Sequence, residues 1–187
     1  MGIKIPAQVS YAVMSHNLKE QNIAYNGSLR LLSHIATFSY LWDEVRVQGG
    51  AYGTGMDCAR GGTFHTHSYR DPSPERSLDV YRKVADFINE FVKEEDLTKY
   101  IISTIATTEP LRTPAQQGKV ADTLYFSNFT YEDACKERKE ILHATAKDLT
   151  NWSKALSTHA KDGAICVVGY SGALEACAKE ELEITEI

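Results

Sequence analysis

Between Leu31 and Tyr69 the apolar residues change period, and that change constrains the fold more than any other feature of the chain. Leu31, Ile35, Phe38, Trp42 and Val45 fall at spacings of 4, 3, 4 and 3, with Leu32 and Leu41 widening the stripe. Asn26-Gly27-Ser28 supplies capping residues ahead of it, so the spacing predicts one long amphipathic helix whose apolar side must be covered. Arg46-Val47-Gln48-Gly49-Gly50 closes that helix, because a glycine can take the left-handed conformation that ends one. The segments Ala51 to Ala59 and Thr63 to Tyr69 then read as two strands joined through Arg60-Gly61-Gly62, a composition suited to a tight antiparallel hairpin. A helix followed at once by a hairpin gives an α+β chain: an antiparallel sheet covered by helices.

The flanks extend this pattern. Residues 5 to 15 alternate, with Val9, Tyr11 and Val13 on one face and Ser10, Ala12 and Met14 on the other, as in a strand. Asp71-Pro72-Ser73-Pro74 ends the hairpin and opens a helix, with Ser73 as N-cap and Pro74 at the first helical position; Leu78, Tyr81, Val84, Ile88 and Phe91 form its buried stripe. Further helices are expected over Leu97-Ile101-Ile105, from the capping box Thr113-Pro114-Ala115-Gln116, from Thr130 and from about Thr145. Ala164 to Val168 is a short buried strand, and the Glu-rich end from Glu175 reads as a fraying helix. There is no repeat, linker or low-complexity tract. At 187 residues one domain over 1–187 is the economical reading, and a chain of this size buries roughly 70% of its unfolded surface without a disulfide or metal staple. Met1-Gly2 followed directly by strand-like sequence suggests a piece cut from a longer protein.

Charge excludes two classes of partner. Twenty Lys and Arg against 25 Asp and Glu give a net charge of -5 and a pI near 5.7, with no long run of like charges, so no footprint for nucleic acid or an anionic membrane is present. The longest apolar run, Ala164-Ile165-Cys166-Val167-Val168, is far too short to span a bilayer. Cys58, Cys135, Cys166 and Cys177 are scattered without a Cys-x-x-Cys pair, which favours reduced packing residues in the cytoplasm or another reducing compartment.

The chemistry concentrates where helix meets strand. Arg46 stands at a helix C-terminus and Tyr52 at the head of a strand, separated by Gly49, Gly50 and Ala51, small residues that permit another backbone to come close. A guanidinium and a phenol held a few ångströms apart could both donate to one carbonyl or oxyanion. The same residues could serve the fold alone, Arg46 complementing the helix dipole and Tyr52 packing as a strand aromatic. His65-Thr66-His67 puts two imidazoles on one strand face, half of a zinc site, but no neighbouring Cys or acidic residue in sequence completes it, and ordinary strand histidines are the expectation. Cys58 has no basic neighbour to form a thiolate pair and reads as packing. The acids Glu94-Glu95-Asp96 favour the start of the helix that follows.

The string from Tyr40 to Gly53, with Trp42-Asp43-Glu44-Val45-Arg46 and Gly49-Gly50-Ala51-Tyr52, followed after the hairpin by Ser68-Tyr69-Arg70-Asp71-Pro72, resembles the C-terminal domain of presequence-protease-type enzymes. These belong to the pitrilysin/insulinase superfamily of zinc metallopeptidases. The likeness runs from about Ile5 to Gly169, including Ile5-Pro6-Ala7-Gln8-Val9 and Thr113-Pro114-Ala115-Gln116-Gln117-Gly118. It implies the metallopeptidase-domain fold of that superfamily and a chain that is the last of four domains around a closed peptide chamber. It also implies that Arg46 and Tyr52 reach toward the bound peptide and the tetrahedral intermediate, with Gly49, Gly50 and Ala51 beside the substrate. The inverted His-x-x-Glu-His zinc motif of the family's catalytic domain is missing from this sequence. The resemblance therefore implies a non-catalytic domain with no cofactor of its own, zinc being held by the catalytic domain of the parent enzyme. Its partners would be the N-terminal domains of that protease and an unfolded peptide, with a homodimer when the domain is excised. The alternative is a stand-alone peptide-binding or scaffold domain of the same fold.

Overall fold

The computed structural model describes residues 1–94 and 96–186. Six strands form one sheet: β1 (Gly2–Lys4), β2 (Tyr11–Asn17), β3 (Gly53–Cys58), β4 (Thr63–Tyr69), β5 (Ala164–Gly169) and β6 (Ile184–Glu186), in the spatial order β3-β4-β2-β5-β1-β6. β2 lies at the centre, antiparallel to β4, with Tyr11 opposite Tyr69 and Ser15 opposite His65, and antiparallel to β5. The far edge departs from the expected antiparallel pattern: β1 pairs parallel with both β5 and β6. Alternation sorts the sheet into two faces. Ala12, Met14, Met56, Phe64 and Val167 are buried, whereas Tyr11, Val13, His65 and His67 stay half-buried and Tyr69 is exposed.

The buried face is covered by helices: α1 (Ser28–Ala36), α2 (Pro74–Arg82), α3 (Val84–Glu94), α4 (Thr98–Thr108), α5 (Pro114–Phe126), α6 (Tyr131–Leu142), α7 (Ala146–Asn151), α8 (Ser153–Asp162) and α9 (Ser171–Ala176). Leu31, Leu32 and Ile35 of α1 meet Leu78, Tyr81, Val84 and Ile88 of α2 and α3 and Leu149 and Leu156 of α7 and α8 in one core. Reciprocal capping boxes start three of the helices, at Thr113 with Gln116, Thr130 with Asp133 and Thr145 with Asp148. α5 keeps none of its residues buried.

Several elements depart from the sequence reading, each for a tertiary reason. The strand expected over 5–15 runs from Tyr11 to Asn17, because β1 and β2 flank β5 on opposite sides and the intervening residues must cross its end; Ser10 there donates to the Asp71 carbonyl and accepts from the Asp71 amide at 2.8 Å. The helix from Ser28 turns into a π-helix over Thr37–Gln48. Bonding to i+5 rotates the chain less per residue, so the buried line passes to Leu41 and Val45 while Phe38 and Trp42 turn outward. The helix from Pro74 breaks at Lys83, and the one from Thr145 at Trp152, whose indole N–H donates to Ser28 Oγ at 2.9 Å. Ser73 makes no side-chain cap; the Asp71 carboxylate instead accepts from the Ser73 amide at 2.9 Å. The chain from Glu175 completes α9 and makes a 3-10 turn over Ala178–Glu180, then leaves the helical path and adds β6 to the edge of β1. Of the acids before α4, Asp96 accepts from both the amide and the hydroxyl of Thr98, at 3.0 and 2.8 Å, and Glu95 lies outside the described residues.

Candidate functional site

The turn between the π-helix and β3 decides where Arg46 and Tyr52 point. The Gly50 amide donates to the Arg46 carbonyl at 3.0 Å and the Ala51 amide to the Val45 carbonyl at 3.1 Å, with Gly50 at φ +81°, the left-handed conformation its position requires. Gly49 admits no side chain, since a Cβ there would stand 2.5 Å from the Val45 carbonyl oxygen and 2.7 Å from Arg76. Arg76 of α2 pins this helix end by donating to the Glu44 carbonyl and, at 3.1 Å, to its carboxylate. Ala51 is buried as the anchor of the turn and Gly50 is exposed, so of these three small residues Gly50 presents open backbone. The Tyr52 amide is then shared between the carbonyls of Tyr69 and Arg70, at 3.1 and 3.2 Å, which fixes Tyr52 at the lip of β4.

This geometry brings Arg46 and Tyr52 together. The Arg46 guanidinium lies 4.1 Å from the centre of the Trp42 ring and 5.7 Å from that of Tyr52. Tyr52 is 64% exposed, and its ring packs edge-on against Tyr69 at 5.8 Å, which packs in turn against Tyr11 at 5.4 Å. Arg70, a non-glycine residue at φ +47°, holds a second guanidinium 5.5 Å from the Tyr69 ring and 6.0 Å from the Tyr52 ring. Among the described residues no carboxylate lies within ion-pair distance of Arg46 or Arg70, and none makes a hydrogen bond to the Tyr52 hydroxyl. Two unneutralised cations and a free phenol therefore converge at one lip of the sheet, a set able to hold a carbonyl, a carboxylate or an oxyanion. Trp42, Tyr69 and Arg70 join the cluster although the sequence, which carries them in the same strings as Arg46 and Tyr52, assigns them no site role. The sequence signals for Arg70 are its place in the Ser68-Tyr69-Arg70-Asp71-Pro72 string and its position just before Asp71-Pro72, where the chain must turn.

Beside this cluster Tyr11, Val13, Ser15, His65, His67, Ser68 and Tyr69 line a broad concavity of about 550 Å³ on the sheet. A second, of about 340 Å³, lies between α1, α4 and the outer edge of β3. His65 and His67 gain a neighbour that sequence proximity did not show. Asp57 stands directly across the hairpin from His65, with its Oδ2 3.7 Å from His65 Nε2 and 3.6 Å from His67 Nδ1. Cys58 is buried, and burial pushes its thiol up to about 12, which suits packing and not nucleophilic attack. His159 is buried against Phe64 with its Nε2 3.2 Å from Thr66 Oγ1, and burial first, then the neighbouring histidines, pushes it down to about 3.

Residues 2–171 match the family model described as the PreP C-terminal domain. The chain is 37% identical over 169 residues to Protein HypA of Clostridium perfringens, covering 90% of this chain and 17% of that protein. It is 32% identical over 187 residues to Presequence protease 1, chloroplastic/mitochondrial, of Arabidopsis thaliana, covering 99% of this chain and 17% of the relative. The chain thus spans about one-sixth of the length of these relatives. Among solved structures, a peptidase M16 inactive domain from Pseudomonas fluorescens superposes with a TM-score of 0.61 at 15% identity, covering 91% of this chain and 42% of the other. Pitrilysin does so with a TM-score of 0.56 at 17% identity, covering 99% and 21%. At such identities these two structures speak for the fold alone.

Proposed function

The chain belongs to the PreP C-terminal domain family, and from that membership we propose that it works as the non-catalytic C-terminal domain of a zinc metallopeptidase, closing a chamber for unfolded peptides and contacting the substrate through Arg46 and Tyr52. The observation that carries this reading is the pairing of an Arg46 without a carboxylate partner with an exposed Tyr52 whose hydroxyl has no partner among the described residues. Neither side chain is needed to satisfy a buried group of the domain. Both stand free to donate to a peptide carbonyl and to the oxyanion that develops when it is attacked.

In this reading the chain holds no catalytic zinc, since it lacks His-x-x-Glu-His; the metal and the general base would come from another domain of the parent enzyme. Arg46 would be oriented for that task by its stack on Trp42, and Arg70 would hold a second carbonyl or the carboxylate end of a short peptide. The half-open sheet face beside them, with Tyr11, Val13 and Tyr69, offers apolar surface to an extended chain. The four free cysteines suit a reducing compartment. No helix among the described residues is long and apolar enough to cross a membrane.

The test is Tyr52→Phe in a protease carrying this domain. It removes one donor and almost no volume, so turnover of an unstructured peptide should fall roughly 10²-fold or more while the melting temperature stays put. Unchanged turnover with a normal melt would remove Tyr52 from the reaction and leave only the family assignment. Arg46→Lys is the companion variant. It keeps the charge but loses the planar fork, and is expected to fail nearly as badly as Arg46→Ala.

A further inference from the structure

We propose that the β3–β4 hairpin carries a site for a divalent transition metal, formed by Asp57, His65 and His67, with one coordination position left open. The three residues lie within one hairpin, and the ladder register places Asp57 opposite His65 and Gly55 opposite His67, so all three side chains rise from one face of two adjacent strands. Their ligating atoms lie within 4.8 Å of one another, and the carboxylate oxygen is 3.7 Å from one imidazole nitrogen and 3.6 Å from the other. Donors around a tetrahedral zinc stand roughly 3.3–3.5 Å apart, as bond lengths of about 2.0–2.2 Å require. A small rotation of the exposed Asp57 side chain and of the half-buried imidazoles closes the difference.

A second observation points to the same place. His67 Nδ1 is buried with no hydrogen-bond partner among the described residues, and the Asp57 carboxylate oxygen at 3.6 Å is too far to accept from it. Gly55 leaves the ring room, since a Cβ at that position would meet His67 Cε1 at 3.0 Å. An orphaned ring nitrogen aimed toward a carboxylate and a second imidazole is the arrangement a cation would complete. Two nitrogens and one carboxylate select zinc, cobalt, nickel or copper over calcium or magnesium, which prefer all-oxygen sites. Three protein donors leave the fourth position to water or to a histidine, cysteine or carboxylate of a peptide lying on the sheet face. The site is separate from the Arg46–Tyr52 pair and does not depend on the protease reading.

The experiment uses the 187-residue chain without an oligohistidine tag, stripped with a chelator and titrated calorimetrically with zinc sulfate at neutral pH in a non-chelating buffer. One zinc per chain is expected, with affinity lowered about tenfold or more by Asp57→Asn and by His67→Ala, and unchanged by His143→Ala at the exposed end of α6. Cobalt should give the visible absorption of a tetrahedral ion in the parent chain and not in Asp57→Asn. Should His67→Ala perturb the fold, the ring resonances of His65 and His67 in the unaltered chain still decide the matter, because zinc must shift those two pairs and spare the other four histidines. Absence of saturable binding, binding that survives both variants, or shifts confined to other histidines would overturn the proposal.

Discussion

Arg70 shows how a single residue can be held against its own preference. Its backbone sits at φ +47°, a conformation that costs a residue with a Cβ about 1–2 kcal/mol relative to glycine, directly after the strand that carries His65, His67 and Tyr69. The cost is tolerated while the guanidinium lies against the rings of Tyr69 and Tyr52, next to Arg46. Relieving the strain and removing the cation are separable in their effects. Arg70→Gly should leave the chain as stable or up to about 1 kcal/mol more stable in urea unfolding, while raising the KM of the intact protease for short peptides. A loss of stability with unchanged KM would show that Arg70 serves the turn and not the substrate.

At the scale of elements, a buried carboxylate of α6 ties that helix to α1 and to the β3–β4 turn. Glu137, its side chain only 9% exposed, takes Arg30 of α1 and Arg60 of the β3–β4 turn, each at 2.5 Å, and Arg60 also covers the Phe129 ring at 3.8 Å. Burial alone would raise the Glu137 pKa, but hydrogen bonds and charge from Arg60 and Arg30 outweigh it and hold the carboxyl below 4.5. A folded-state pKa below the unfolded one adds stability that is full above the unfolded value and is lost as pH falls through the folded one. Glu137→Gln should therefore be less stable than the parent by about 2 kcal/mol at pH 7, under the range for fully buried pairs because Arg30 and Arg60 remain 31% and 41% exposed. Chemical denaturation at a series of pH values should show that gap shrinking below about pH 4. His159, neutral in the fold, loses its own contribution from about pH 6.5 downward, but it is common to both proteins and cancels in the comparison. A gap that stayed constant into acid would mean that Glu137 acts through packing and not through charge.

For the whole molecule, apolar surface is concentrated away from the core around α5, where Leu111, Tyr125, Phe126 and Tyr131 are all more than three-quarters exposed. α5 buries none of its own residues, yet its capping box and regular turns make it a formed helix. An apolar helix flank left in water drives association, and a homodimer is the expected form of the free chain. Sedimentation equilibrium should show mass rising with concentration. Replacing Tyr125 and Phe126 together by serine should abolish that rise and shift stability by no more than about 0.5 kcal/mol, as exposed positions do. A parent chain that stays monomeric at high concentration would dissociate this surface from self-association.

Local signals settled a good part of this architecture in advance. The strand from Thr63 to Tyr69, the helix starts at Thr113, Thr130 and Thr145 and the left-handed Gly50 follow from period, capping chemistry and glycine's freedom, all of which act over a few residues. The pairing of Arg46 with Tyr52 was legible for the same reason, since one turn separates them. What sequence could not supply came from contacts between distant parts of the chain. β6 forms because β1 offers it a free edge, and the crossing over β5 removes residues 5–10 from the ladder. The π-helix over Thr37–Gln48 carries no mark in the apolar spacing, and with it Trp42 turns out to stack on Arg46. Asp57 reaches His65 and His67 only through strand register, eight and ten positions along the chain but side by side across the hairpin. Propensity is a property of neighbours in sequence, whereas a ligand set or a sheet edge is a property of neighbours in space, and only the folded chain decides which residues those are.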